Sequence, residues 1–355
     1  MPRGSPEDTG PSAERSGTSL RKPQPYLLPA MRSGFLISSD ERVTGAEAMN
    51  ATTQGRADLQ AWETSKPANF FTADTNLRAV LQRIMGEERY AAFEPRMTRF
   101  GAHVATVLDQ WAKEEDQIGN HPRLDRYSGI GERIESIEFH PNHDAAGAVI
   151  WESGLLALQA EPGRNVEQMA LFYLLGHNGE GGHSCSIACT AGLIRALQTV
   201  GDDALKAKFL PPLLVPDYSE KHHGAQFLTE VQGGSDVGAN ALRATQDAHG
   251  EWRLTGEKWF CSNINAEQFL VMARPDGAPD GTRGLAVFLV PRTLDGGAVN
   301  GFYLRRLKDK LGTRTLASAE LDFEDALAYP IGPLDAGFKT TVELVLNTSR
   351  LLNAV

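Results

Sequence analysis

The spacing of hydrophobic residues changes character several times along the chain. Residues 1–25 are rich in Pro, Gly, Ser and charge, and bury almost nothing before Tyr26, Leu27 and Leu28, which predicts a disordered leader. Residues 26–65 stay polar and weakly periodic, with Phe35, Leu36 and Ile37 as anchors, and read as an extended N-terminal arm. From Lys66 a helical period sets in. Leu77, Val80, Leu81, Ile84 and Met85 fall at offsets 0, 3, 4, 7 and 8, and Phe100, Val104, Val107, Leu108 and Trp111 at 0, 4, 7, 8 and 11. The polar stretch Gly119 to Asp144, full of turn residues, reads as a long ordered loop with room for a short hairpin. Helical spacing resumes near Ala145 to Leu158, Val166 to Leu175 and Ser184 to Val200. Residues 66–222 therefore read as an all-helical domain.

At Gly224 the period falls to two. Candidate strands run over 225–229, 241–246, 251–255, 258–261, 269–273, 285–290, 303–307 and 317–323, separated by turn sequences such as DAHGE and ARPDGAPDGTRG. Residues 223–330 fit an antiparallel β-barrel or sandwich. Within 331–355, Phe338, Val342, Val345, Leu346 and Leu351 mark a new helical stripe with neither a cap nor an evident packing partner. The fold class is α+β and multidomain: a helical domain, a β domain, and the opening helix of a third unit.

Composition narrows the function. The 355 residues are 41% hydrophobic and 23% charged, a globular balance. With 45 acidic against 35 basic residues the net charge is −10, which disfavours a surface built to coat nucleic acid. No run approaches the ~20 apolar residues of a membrane span, and a cytoplasmic location is expected. Cys185, Cys189 and Cys261 are too few for a disulfide framework. Cys185 and Cys189, with His177 and His183 nearby, share a helix face and read as buried small hydrophobes rather than zinc ligands.

Three segments carry candidate chemistry. In FLTEVQGGSD, residues 227–236, a strand runs into a turn whose glycines let a ligand approach the backbone, while Ser235 and neighbouring N–H groups can hold an anionic oxygen. A polar β-turn capped by Asp236 explains the same residues. In GEKWFCSN, residues 256–263, adjacent aromatics point to opposite faces of a strand, one for the core and one to flank a planar ligand. Between Arg305 and Arg314 lie five basic residues, a solvated edge or the rim of a site for a polyanion. SGIGER has only two glycines of a dinucleotide fingerprint and supports no Rossmann reading.

The order of these parts resembles the acyl-CoA dehydrogenase family over residues 66–355. HPRLDRYSGIGERIESIEFHPNHD, FLTEVQGGSDV, GEKWFCSN and RRLKDKLGTRTLASAELDF are most similar to its AidB branch, which is linked to the adaptive response to alkylation. The resemblance implies a helical domain, a middle barrel and a C-terminal four-helix bundle, with FAD between barrel and bundle. Carried over by position, Leu228 and Thr229 contact the pyrimidine edge of the flavin. Gly234 and Ser235 lie at the pyrophosphate, with Ser235 also toward substrate. Phe260 takes the place of the flavin-shielding tryptophan, and Ser262 that of the hydroxyl near flavin N5. The implied reaction is α,β-dehydrogenation of an acyl-CoA thioester with hydride transfer to N5, using a glutamate base expected beyond Val355; Arg350 matches an arginine of the bundle's first helix. Glu230 belongs to the flavin motif and is no substitute for that base. The family implies a homotetramer. A flavin-binding, DNA-protecting protein with little dehydrogenase activity is the alternative, any DNA face then coming from the bundle, and a partial subunit that needs a partner is another.

Overall fold

The computed structural model describes residues 45–355, the first seven of them by backbone alone. The expected leader, and the arm as far as residue 44, lie outside the described residues. The rest of the arm is not extended: Gly45–Ser65 forms a helix, α1. Its alanines and lack of proline favour helix even though no strong apolar stripe marks it.

The other unit runs from Ser65 to Val355. It opens with the short helix α2 (Phe70–Ala73), then α3 (Thr75–Met85) and α4 (Glu87–His103). Asn69 caps α2 and Asp74 caps α3, each accepting backbone N–H groups. A π-helical segment, Val104–Leu108, leads from α4 into α5 (Asp109–Glu115). Phe100, Val104 and Leu108 are buried as their spacing predicts, whereas Val80 and Ile84 of α3 are exposed and only Leu81 and Met85 enter the core. Helices α6 (Pro141–Glu152), α7 (Asn165–Gly176), α8 (Gly182–Val200) and α9 (Asp203–Phe209) complete the helical region. Cys185 and Cys189 on α8 are half-buried rather than buried.

The region is not purely helical. The polar stretch folds as an antiparallel hairpin, β1 (Arg123–Tyr127) with β2 (Arg133–Glu138). Glu135, fully buried, accepts the Leu304 N–H at 3.0 Å, which ties the hairpin to the β domain.

Seven strands form that domain: β3 (Gly224–Phe227), β4 (Arg243–Gln246), β5 (Trp252–Ser262), β6 (Gln268–Pro275), β7 (Ala286–Pro291), β8 (Phe302–Leu307) and β9 (Ser318–Pro330). Pairings β6–β4–β5–β9–β7–β6 close a ring, with β3 added on β6 and β8 on β9. The pairs are antiparallel except β3–β6 and β4–β6, which are parallel. The two strands expected at 251–255 and 258–261 are one strand, β5, which passes through Gly256 at φ 134°. Phe227, Phe269, Phe288, Phe302 and Phe323 fill the barrel. Leu270, Val287 and Leu289 point outward into the helical core. Covered on both faces, β6 and β7 read as unbroken apolar runs instead of alternating ones.

The last helix does have a partner. It runs through α10 (Gly337–Thr340), a π-helical segment Thr341–Leu346 and α11 (Asn347–Asn353), and packs on α8. Val345 and Leu352 are buried, whereas Leu351 is exposed. Leu352, seven residues on from Val345, keeps the 3.6-residue period, whereas Leu351, six residues on, falls on another side of the helix. Ser349 Oγ donates to the Ala188 carbonyl at 2.9 Å and accepts from Gln226 Nε2 at 3.1 Å, linking this helix to α8 and β3.

Candidate functional site

The segments 227–236 and 256–263 meet on the barrel. Beyond β3 the chain passes along β5, where the Trp259 N–H donates to the Thr229 carbonyl at 2.9 Å. Beside that bond Lys258 Nζ donates to Glu230 Oε1 at 2.8 Å and to the Leu228 carbonyl at 3.2 Å. Lys258 is 1% exposed and Glu230 2%. Burial pulls the lysine's pKa down and Glu230 opposes that fall. Glu230 also accepts from the Ala241 and Leu242 N–H groups at 2.6 and 3.1 Å, and Asn240 Nδ2 donates to the Leu228 carbonyl at 2.7 Å. A buried pair is tolerable only when its remaining hydrogen-bonding capacity is used this fully. Its effect is to pin the 228–242 loop to β5.

That anchoring holds the glycine turn above the barrel. Gly233 sits at φ 128°, and a Cβ there would have nothing within 4 Å. Gly234 packs closely on Thr229, whose Oγ1 would lie 3.0 Å from an added Cβ. The Thr229 and Ser235 hydroxyls have no hydrogen-bond partner among the described residues.

The aromatic pair departs from alternation. Lys258 pairs with Leu321 and Cys261 with Ala319, so Trp259 and Phe260 together face Glu320. This is a β-bulge, and it turns two consecutive side chains outward. The expectation that one ring enters the core is thus corrected. Trp259 is half-buried, Phe260 is 49% exposed, and Lys308 Nζ lies 3.8 and 4.4 Å from their ring centroids. Lys308 also donates to Glu320 Oε1 at 2.9 Å. Two residues past Phe260, Ser262 stands opposite Ser318 across β5 and β9, their Oγ atoms 3.0 Å apart. Lys310 Nζ donates to Ser318 Oγ at 3.0 Å and to the Leu316 carbonyl at 2.7 Å.

Leu228, Thr229, Gly234 and Phe260 are therefore neighbours, with Ser235 exposed beside Gly234 and Ser262 at the end of β5. Arg350 is exposed and donates to Asn347. Sequence reasoning missed Lys258, Asn240, Ser318 and Lys310. The signal for Lys258 was present: a lysine at an inward position of a strand needs a buried counter-charge, and Glu230 was at hand.

A second polar cluster lies at the junction of α6, α8 and the segment before β3. The His143 ring stacks between Phe139 and His183, with centroids 4.0 Å apart on both sides. Trp151 lies 4.8 Å from His223. Burial pulls the His143 and His183 pKa values down to about 4 and that of His223 well below the ordinary histidine range. Glu115, 3.6 Å from His143 Nδ1, is pushed up to about 7, chiefly by burial.

Residues 61–220 match the Adaptive response protein AidB N-terminal domain, and residues 225–326 match the acyl-CoA dehydrogenase middle domain. The chain belongs to the acyl-CoA dehydrogenase family. It is 28% identical over 340 residues to acyl-CoA dehydrogenase family member 11 of Caenorhabditis elegans, covering 90% of this chain and 54% of that protein. It is 34% identical over 247 residues to AidB of Escherichia coli (strain K12), covering 63% of this chain and 42% of AidB. The crystal structure of Caenorhabditis elegans ACDH-11 in complex with C11-CoA superposes with a TM-score of 0.74 at 29% identity, over 80% of this chain and 49% of that one. The chain thus spans about half the length of the relatives it matches.

The family is FAD-dependent. The residues of this site fit such a group: an outward aromatic ring, unpartnered hydroxyls at Thr229 and Ser235, and open space over Gly233. A planar apolar ring system and a phosphate-bearing tail need these features side by side.

Proposed function

We propose that this chain supplies the barrel-side flavin surface of an FAD-dependent, AidB-like acyl-CoA dehydrogenase that oxidises an acyl-CoA thioester between its α and β carbons. The observation that carries the reading is the Trp259–Thr229 hydrogen bond, because it joins the two segments into one surface. Leu228 and Thr229 would hold the pyrimidine edge, Gly234 and Ser235 the pyrophosphate, Phe260 would cover a ring face, and Ser262 would donate near N5. Bound there, FAD supplies the acceptor for the electron pair leaving the β carbon.

The protein's own residues bind and orient. Thr229 and Ser235 offer neutral hydroxyls, which suit carbonyl and phosphate oxygens without adding charge. The bulge at Trp259 and Phe260 keeps an aromatic face outside the barrel core. Glu230 is committed to Lys258 and to two backbone N–H groups, so it is not available as a base. The α-proton base is not assigned to any residue of this chain. Acyl-CoA as substrate is supported by the family and by a relative crystallised with C11-CoA.

The test is acyl-CoA-dependent bleaching, under anaerobic conditions, of the FAD-loaded protein joined to the C-terminal bundle expected to carry the base, using thioesters from four to sixteen carbons, with salt-dependent DNA binding measured in parallel. Bleaching by one chain-length class supports the reading. Salt-sensitive DNA binding with no bleaching favours the DNA-protecting alternative.

A further inference from the structure

The site contains a cation that its neighbours leave without a counter-charge. Lys308 is matched by Glu320, and Arg305 by Asp322 and Glu257. Half-buried Lys310 has no carboxylate partner among the described residues. Its ammonium donates to two neutral oxygens, Leu316 O and Ser318 Oγ. The thiol of Cys185 lies within reach of its charge, and the Cys185 pKa is lowered first by its hydrogen bond with Cys189 and then by Lys310. Lys310, Ser318 and Arg314 line a cleft of about 120 Å³, so a ligand atom can approach.

The hydrogen-bond directions follow from the donor inventory. An ammonium only donates, so Lys310 occupies a lone pair of Ser318 Oγ and withdraws electron density from it. That makes Ser318 the better donor and Ser262 the better acceptor across the 3.0 Å contact between them. The Ser262 proton is then turned away from Ser318, toward the outer face of β5. The register Ser262↔Ser318 fixes this pair by backbone pairing and does not depend on a flexible side chain alone.

We infer that Lys310 is a positioning residue for the flavin: through Ser318 it presents the Ser262 hydroxyl as a donor, and its charge stabilises the reduced, more electron-rich flavin. The inference rests on the FAD reading above. It assigns to Lys310 and Ser318 roles that neither segment of the flavin signature contains.

The experiment is dye-equilibrated reduction of the FAD-loaded chain and its Lys310→Met, Lys310→Arg and Ser318→Ala variants, with FAD affinity measured by flavin fluorescence. Lys310→Met should shift the oxidised-to-reduced equilibrium at least tenfold toward the oxidised form, about 30 mV more negative for a two-electron couple. FAD affinity should stay within threefold. Ser318→Ala should move the potential in the same direction, and Lys310→Arg should restore it to within threefold of the parent equilibrium. If Lys310→Met does not fold, Ser318→Ala decides. A shift below threefold in the folded variants, with FAD bound, overturns the role of Lys310 and leaves the flavin reading intact. Failure of the parent chain to bind FAD overturns both.

Discussion

Lys258 and Glu230 form a buried ion pair, Nζ to Oε1 at 2.8 Å, from which the glycine turn at 233–234 is hung. Lys258→Met should leave a buried carboxylate whose lost partner is not replaced, at a cost of ~3–5 kcal/mol. Urea unfolding measures it, and the Lys258→Met, Glu230→Leu double variant should recover part of the loss. If Lys258→Met costs less than ~1 kcal/mol, the pair is not the anchor described above.

Phe260 makes the opposite case. At 49% exposure it contributes little to the barrel, so Phe260→Ala should change stability by no more than ~0.5 kcal/mol. FAD affinity should nevertheless fall about tenfold, in line with an aromatic contact worth ~1 kcal/mol or more. Phe260→Trp should retain it. Parallel thermal melts and fluorescence titrations separate the two effects.

The histidine cluster sets a pH dependence. His143 and His183, and His223 more strongly, have folded pKa values below the unfolded one. Their contribution is therefore complete above about pH 6.5 and is lost as pH falls from there toward 4. Glu115, raised to about 7, acts in reverse, its contribution being lost as pH rises from 4.5 to 7. Three histidine protons outweigh one carboxyl proton. Stability should rise between pH 5 and 6.5. His143→Phe should flatten that rise by about one proton, ~1.4 kcal/mol per pH unit, and Glu115→Gln should steepen it.

Gly192 lets the C-terminal helix lie against α8. A Cβ at that position would meet Gln226 Nε2 at 2.5 Å and Val345 Cγ1 and O at 3.0 Å. Gly192→Leu should therefore cost ~1–3 kcal/mol by overpacking and expose residues 337–355 to protease before the barrel unfolds. Limited proteolysis with mass mapping reads this directly. Cleavage spread evenly over the chain would count against it.

How much could be read beforehand depended on which residues had local reasons for their places. The stripe Ile187, Ala191, Ile194 and Leu197 is buried along α8 because an uninterrupted α-helix keeps its period. Leu351 was misplaced on the last stripe: six residues from Val345 it lies well off that face, and Leu352, seven residues on, is buried instead. Strands β6 and β7 lie where strands were expected at 269–273 and 285–290, although both of their faces are covered and their burial does not alternate. The single strand β5 was not legible, since Gly256 looks like a break and the bulges at 254–256 and 258–261 appear only with β9 in place. At the site, Thr229, Ser235, Phe260 and Ser262 stood out through their motifs. Lys258 and Ser318 did not, because Glu230 and Ser262 lie 28 and 56 residues away in sequence. Lys310 was covered only as one of the basic residues of 305–314, although its partners Leu316 and Ser318 are 6 and 8 residues on.

Adding FAD to the purified chain and following flavin fluorescence and the visible absorption band shows whether the barrel-side surface holds a flavin. Saturable one-to-one binding is expected, weakened at least fivefold by Thr229→Ala combined with Ser235→Ala in a protein that still unfolds cooperatively. Folded chain that leaves the fluorescence and spectrum of free FAD unchanged at saturating concentration would contradict the flavin reading.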